Sequence, residues 1–241
     1  MGHESYGSYI IKKGNKHDPA NYRGIALLPI LSKIFSKVLL ERLNFWADAK
    51  NIIHQEQAGF RKGFRNTDNV FILDTIVNKY LSRKRGRLYI GFIDFRKAFD
   101  LVNHDALLLK LKDAGITGNI YDVLSSMYMQ LNARVKTPLG ITNVFSCKAG
   151  VQQGSLLSPF LFKLFLNDLS EMLNADVIQK IQINNYDISH LLFTDDLALI
   201  SDTVFGLQKQ LDTLYLIIAA SGASQLISIK PKLWFLKEAV G

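Results

Sequence analysis

Cysteine is nearly absent: Cys147 stands alone in 241 residues. One thiol can neither close an internal disulfide nor furnish a cysteine-based zinc site, so secreted disulfide scaffolds are excluded and a reducing compartment is expected. The 5 prolines and 16 glycines are not concentrated in any stretch. That excludes collagen-like and low-complexity classes and leaves no linker rich in Pro, Gly or Ser. Long apolar runs are missing too. The longest, Leu214 to Ala220, falls far short of the roughly 18 residues that span a bilayer, so no transmembrane helix is expected. Residues 1–14 are polar and glycine-rich and lack the apolar core of a secretory peptide, which makes an intracellular location the expectation. Acidic residues are the minority, 21 against 29 Lys and Arg, for a net charge of +8. The excess fits a polyanionic partner, nucleic acid or an anionic membrane surface, and equally a soluble protein with a lysine-rich surface.

What is present is a foldable chain, 48% hydrophobic and 21% charged, long enough to bury a sizeable core. Leu31, Ile34, Phe35, Val38, Leu39, Leu43 and Trp46 recur at helical steps after Pro29, and a second helix is expected over Asp68 to Leu81. A basic turn, Ser82 to Arg87, leads into a buried strand over Leu88 to Phe95, in which Asp94 is out of character. Helices over Asp105 to Lys112 and Thr117 to Gln130 follow, with Thr117 as the expected N-cap of the second. Strands over Ala133 to Thr137 and Thr142 to Cys147 flank the turn residues Pro138-Leu139-Gly140. Ser158-Pro159 opens an apolar helix expected to reach Leu173. A strand near Ile178 to Ile183 precedes a hairpin, Ile188 to Phe193 and Leu197 to Ile200, with Asp195 and Asp196 at its tip. A last helix covers Thr203 to Ala220. No internal repeat is present, and one mixed α+β unit is more economical than two domains.

The acids carry the chemical signal. An Asp-Asp pair in a turn is usually a solvated turn, because aspartate hydrogen-bonds its own backbone there. An Asp at the end of an apolar strand has a similar plain reading. If the strand and the hairpin lie side by side, however, Asp94, Asp195 and Asp196 converge with no basic residue adjacent in sequence to neutralise them. Clustered carboxylates suit hard divalent ions, and a pair of such ions supports phosphoryl transfer. Spacing alone does not show that they converge.

Five blocks occur in order: Asn21-Tyr22-Arg23-Gly24-Ile25-Ala26-Leu27-Leu28; Gln57-Ala58-Gly59-Phe60-Arg61-Lys62-Gly63; Phe92-Ile93-Asp94-Phe95-Arg96-Lys97-Ala98-Phe99-Asp100; Gly150-Val151-Gln152-Gln153-Gly154-Ser155-Leu156-Leu157-Ser158-Pro159; and Phe193-Thr194-Asp195-Asp196. Together they resemble the reverse transcriptase domain of non-LTR (LINE-type) retrotransposons, a likeness that runs from about Lys12 to Lys232. The resemblance implies an α+β right-hand polymerase. Fingers are expected over about 1–87 and palm over about 88–241, with 114–150 allowing part of the fingers to return. An antiparallel palm sheet is expected to pack on helices. The implied activity is RNA-directed DNA polymerisation, two-metal transfer of a nucleotide to a primer 3′ hydroxyl, with Mg²⁺ as cofactor and Mn²⁺ as the alternative. The implied partners are an RNA template, a DNA primer and deoxynucleotide triphosphates, and no membrane.

By the same likeness, Asp94 and Asp195 are metal ligands and Asp196 is the second acid of the hairpin. Phe99 stands where the family sets an aromatic ring against the sugar 2′ carbon, although a Phe after an apolar strand is more often core. Arg23 and one of Lys12 or Lys13 resemble the cations that hold the triphosphate, for which a guanidinium fork and an ammonium are suited; a lone lysine more often belongs to a solvated surface. Gln153-Gly154 resembles the pair that lies along the nucleotide, where glycine allows close approach. Arg61, Lys62 and Arg65, with Phe60 and Phe64 interleaved, fit a template-gripping finger. Lys230 resembles a general acid for pyrophosphate.

Departures from the family pattern are Gly24 for Pro, Gln152 for Arg, Ser155-Leu156 for Cys-Pro and Thr194 for Ala; near Lys230, Ile227 replaces Asn and Pro231 replaces Thr. The chain starts at the fingers and stops shortly after the palm, which reads as a domain lacking a thumb, an upstream endonuclease and a C-terminal zinc-binding segment. That opens an alternative reading, a catalytically weak or inactive retrotransposon fragment acting at most as a nucleic-acid-binding protein. An RNA-dependent RNA polymerase is disfavoured by Phe99.

Overall fold

The computed structural model describes residues 4–11, 15–18, 21–61, 63–84, 86–95, 97–137, 140–176, 180–220 and 232–237. In chain order the elements are β1 (Glu4–Ile11), β2 (Tyr22–Leu27), α1 (Ile30–Ala49), α2 (Asn66–Leu81), β3 (Arg87–Asp94), a 3₁₀ turn (Ala98–Leu101), α3 (His104–Asp113), α4 (Gly118–Met129), β4 (Asn132–Thr137), β5 (Gly140–Ile141) and β6 (Phe145–Ser146). They continue with α5 (Ser158–Phe165), α6 (Asn167–Asp176), β7 (Ile181–Ile183), β8 (Tyr186–Ile188), β9 (His190–Phe193), β10 (Asp196–Ser201), α7 (Val204–Ala220) and β11 (Lys232–Lys237). The expected α+β class is what the chain adopts. Its contacts divide it into two compact units, each assembled from two separated stretches: Met1–Ile52 with Phe99–Phe165, and Ile53–Ala98 with Leu166–Gly241. Composition does not mark that division, because no linker separates the stretches.

In the first unit the sheet order is β2-β1-β4-β5, with β6 also on β4. β1 and β2 are antiparallel, whereas β1 and β4 run parallel. The sequence pattern marks no strand before Pro29; β1 and β2 form there through their mutual pairing, Tyr6 opposite Leu27 through Ile11 opposite Tyr22. α1 buries Ser36, Leu39, Leu43 and Ala47, while Leu31, Ile34, Phe35 and Val38 of the expected apolar stripe are exposed. α3 is capped by Asn103, whose Oδ1 accepts from Ala106 N–H at 2.9 Å. Thr117 precedes α4 in extended conformation but its side chain makes no capping bond. α5 is apolar nearly all round and buried accordingly.

The expected helix from Ser158 to Leu173 is two helices, broken at Leu166. Side chains on either side of the break make long-range bonds. Lys110 Nζ donates to the carbonyl of Phe165 at 2.6 Å, so the end of α5 finds a cation. In the second unit, Asn167 Oδ1 at the start of α6 accepts from His54 N–H at 3.0 Å.

The second unit contains the four-stranded sheet β11-β3-β10-β9, antiparallel throughout, and a separate β7-β8 hairpin. α2 begins two residues before the expected Asp68, because the Asp68 carboxylate accepts from Arg65 N–H at 2.7 Å and closes the first turn. Its Ile76 and Tyr80 join Leu88, Ile90, Leu191, Ala198 and Ile200 in one core. The hairpin is anchored at its base by a buried polar chain. His190 bonds Ser189 Oγ at 2.8 Å and Ser170 Oγ at 2.9 Å; Ser189 Oγ donates to Asn174 Oδ1, and Asn174 Nδ2 donates to Glu56 Oε1 at 2.8 Å. Burial holds His190 well below its ordinary range, at about 4, with Glu56 opposing that shift. Among the described residues, no helix is long and apolar enough to cross a membrane.

Candidate active site

Strand alternation sends every second side chain of β3 and β10 to the same face. The antiparallel register pairs Ala198 with Phe92 and Asp196 with Asp94, so the apolar core on that face gives way to two carboxylates standing opposite each other at the sheet end. Asp195 lies in the turn that joins β9 to β10. Its carbonyl accepts from Phe95 N–H at 3.4 Å, which ties the turn to the residue after Asp94. Asp94 and Asp196 are exposed and Asp195 is half-buried. The register thus brings Asp94 and Asp196 opposite each other at the sheet end, with Asp195 in the adjoining turn.

The electrostatics follow from that placement. The Asp196 carboxyl is pushed above its ordinary range by partial burial and then by the negative charges of Asp195 and Asp94. Among the described residues, no Lys, Arg or His forms an ion pair with Asp94 or Asp196. An open cleft of about 460 Å³ adjoins them, lined by Asn69, Val70 and Leu73 of α2 together with Phe92, Asp94 and Asp196. Hard oxygen donors, mutual repulsion and no neutralising partner for two of them fit a divalent cation. Among the described residues, however, no group of three His, Cys, Asp or Glu side chains stands together as a complete metal cage.

The other expected site residues divide by unit. Arg61, half-buried in the second unit, donates to His54 O at 3.1 Å and lies over the Phe64 ring at 4.5 Å. Phe60, Phe64 and Arg65 are exposed near it, and Lys62 lies outside the described residues. In the first unit, Phe99 stacks on Phe162 with ring centroids 4.4 Å apart and planes at 19°. Gln153 Nε2 donates to Asp100 Oδ1 at 2.6 Å. Gly154 has φ 112°, and a Cβ there would sit 2.6 Å from Ala26 O, so the close approach that demands glycine is made by the chain's own β2. Arg23 pairs with Ile10 in the sheet, and its side chain lies outside the description, as do Lys12, Lys13 and Lys230.

Gln57, in the second block, has no role that the sequence pattern assigns. Gln57 is 1% exposed, and its Oε1 accepts from Thr194 N–H at 3.1 Å and from Gly59 N–H at 3.0 Å. The available signal was a polar residue before Ala-Gly in a block otherwise read for its cations.

An antiparallel sheet bearing acids on a hairpin tip and on the neighbouring strand is the frame of a polymerase palm. Residues 11–227 match the family model described as reverse transcriptase (RNA-dependent DNA polymerase), and the chain belongs to that family. Among curated relatives, the probable RNA-directed DNA polymerase of transposon X-element from Drosophila melanogaster is 32% identical over 68% of this chain and 18% of its own length. That of transposon BS from the same organism is 32% identical over 85% of this chain and 23% of its own. The RNA-directed DNA polymerase of mobile element jockey, also from Drosophila melanogaster, is 29% identical over 81% and 21%. The likeness to non-LTR retrotransposon enzymes is borne out, and the chain spans about a fifth of the length of these relatives. The solved structure of apo telomerase from Candida tropicalis, truncated from its C-terminal domain, shares the fold at a TM-score of 0.68 and 15% identity, over all of this chain and 51% of the telomerase. The family generally uses divalent metal ions.

Proposed function

We propose that this chain is the fingers-and-palm part of an RNA-directed DNA polymerase that extends a DNA primer on an RNA template. The observation that carries the reading is the register of β3 on β10, which sets Asp94 opposite Asp196 beside Asp195. Asp94 and Asp195 are the ligands of Mg²⁺, or of Mn²⁺ in its place. Bound divalent ions would lower the pKa of the primer hydroxyl and stabilise charge on the leaving phosphate oxygen. The chain's own residues do the rest. Asp196 keeps the tip anionic, Arg23 and Lys12 hold the triphosphate, Gln153-Gly154 lie along the nucleotide, Phe99 excludes a ribose 2′ hydroxyl, and Lys230 protonates pyrophosphate. Arg61, Lys62 and Arg65 hold the template through phosphate neutralisation and stacking.

The division into fingers over about 1–87, with a return within 114–150, and palm over about 88–241 belongs to the same proposal, as does an intracellular location. The compact-unit boundaries describe packing, not which segment grips template.

Primer extension on an RNA template, with Mg²⁺ and deoxynucleotides, tests the reading, with Asp195→Asn as the control. Template-dependent extension by the wild type and none by the variant is the expected result; no extension by a folded wild-type chain would sink it. The absence of a complete three-residue cage among the described residues favours one second reading, a palm that binds nucleic acid without catalysis. In that case salt-sensitive binding persists, the wild type does not extend, and Asp195→Asn changes nothing.

A further inference from the structure

Residues 56–59 run beside β9 as a short additional edge. Leu192 N–H donates to Glu56 O at 3.2 Å and Ala58 N–H donates to Leu192 O at 2.9 Å, with Gln57 bridged to Leu192 in parallel. This docking delivers the Gln57 amide to the tip of the acid hairpin. Two N–H groups converge there on one oxygen, which fixes the amide's orientation, because the reverse would set donors against donors. The other end, Nε2, is buried with no partner among the described residues. A half-satisfied buried amide is poorer for stability than an apolar side chain of the same size. Its presence is explained by what its other half holds.

What it holds is a strained turn. Thr194 has φ 61°, the left-handed region that β-branched residues avoid, and its side chain is buried. Gly59 is the second half of the device. A Cβ at that position would meet Thr194 N at 2.4 Å and Thr194 Oγ1 at 2.7 Å, so only glycine lets the segment close on the turn. The peptide fixed by Gln57 is the one that joins Phe193 to Thr194, one residue before Asp195.

We infer that Gln57 is a positioning residue that, by holding Thr194 in its left-handed turn, sets the Asp195 carboxylate beside Asp94 and Asp196 and thereby sets the affinity of the acid tip for a divalent cation. The inference rests on the acids being the cation site of the proposed polymerase. Within one block, Gln57 and Gly59 shape the hairpin, Arg61 is bonded to His54 O, and Arg65 is exposed.

The test is Mn²⁺ binding to the full chain, followed by electron paramagnetic resonance without nucleotide or nucleic acid, beside hydrogen exchange at the Thr194 amide. Gln57→Leu removes the acceptor at similar size and should weaken Mn²⁺ binding ~10–100-fold, the scale seen when a group orienting a metal ligand is lost. Exchange at Thr194 should accelerate in the same variant. Gln57→Glu keeps an acceptor oxygen toward both N–H groups and should restore slow exchange, with affinity at or above that of the wild type. A merely structural role would lower the unfolding temperature without this split between Leu and Glu. Unchanged Mn²⁺ affinity in folded Gln57→Leu overturns the inference. Should that variant fail to fold, Gln57→Asn withdraws the acceptor by one carbon, and unchanged affinity in it does the same. Asp195-dependent Mn²⁺ binding that Gln57→Leu weakens, without primer extension by the wild type, leaves the inference standing and removes the polymerase reading. Extension by the wild type with affinity unmoved by Gln57→Leu removes the inference alone, and a wild type with no Asp195-dependent Mn²⁺ binding overturns it as well.

Discussion

The acid tip of the second unit and the loop around Gln153 in the first are built in opposite ways. At the tip, like charges face each other across a strand pair, and Asp196 is held above its ordinary pKa by burial and by its neighbours. In the loop, Gln153 is bonded to Asp100, Gly154 lies against Ala26, and Phe99 is stacked on Phe162. A tip that holds repulsion gains from a cation, whereas a loop with satisfied groups must exchange partners to take a ligand. On the proposed reading, affinity for metal would be built into the resting fold, and affinity for nucleotide would be offset by the bonds it replaces.

The largest test of that contrast is Asp94→Asn, which should lower extension by about 10³-fold or more while leaving nucleic-acid binding at low salt intact, since it removes a proposed metal ligand and no proposed phosphate contact. Extension assays paired with fluorescence anisotropy read both quantities, and comparable losses in the two would erase the distinction. Next in size is Gly154→Ala. Its Cβ would collide with Ala26 O in a left-handed conformation, so the unit should lose about 1–3 kcal/mol, read by chemical denaturation. An unaltered midpoint would mean that the loop is not held as tightly as its contacts indicate.

Phe99→Val removes both the stack and the proposed sugar gate. Ribonucleotide use relative to deoxyribonucleotide should rise by about tenfold or more, the scale on which steric fit discriminates substrates. Unchanged discrimination by an active variant would return Phe99 to a packing role against Phe162. The smallest effect is Asp196→Asn. Partial burial and the charges of Asp195 and Asp94 hold the folded-state pKa of Asp196 above its ordinary value, so the stability it contributes is complete below that ordinary value and is lost as pH rises through the shifted one. Asparagine should therefore raise the melting temperature slightly at neutral pH and leave it nearly unchanged near about pH 3. A variant less stable than the wild type at neutral pH would mean that the acids are not in net repulsion.

Legibility in the sequence followed the range of the signal. α1, α2, β3 and the acid hairpin are periodic or punctuated locally, and their positions were readable to within a few residues. The break at Leu166 was not, because it depends on bonds from Lys110 and His54, distant in sequence. Strands β1 and β2 were silent for the same reason: each needs the other to satisfy its backbone. At the site, the acids were legible and the pairing of Asp94 with Asp196 was not, since the β3-β10 register is a tertiary fact. Gln57 lies within the second block, yet its partner, Thr194, lies 137 residues downstream.

The position of β3 has a consequence for the chain as it is made. Its partners arrive late: Asp94 pairs with a residue 102 positions later, and Phe92 with Lys232, 140 positions later. During synthesis this apolar strand must wait with both edges unpaired while most of the protein is still to come. Long-range pairing of this kind slows folding and leaves a template for wrong partners. At the roughly 5–20 residues per second of translation, the wait for β10 alone lasts several seconds or more. For a sheet of this topology, the hazard in the cell is therefore greatest before Asp94 has met Asp196, and ribosome-bound chains stopped before β10 should be the species that chaperones retain.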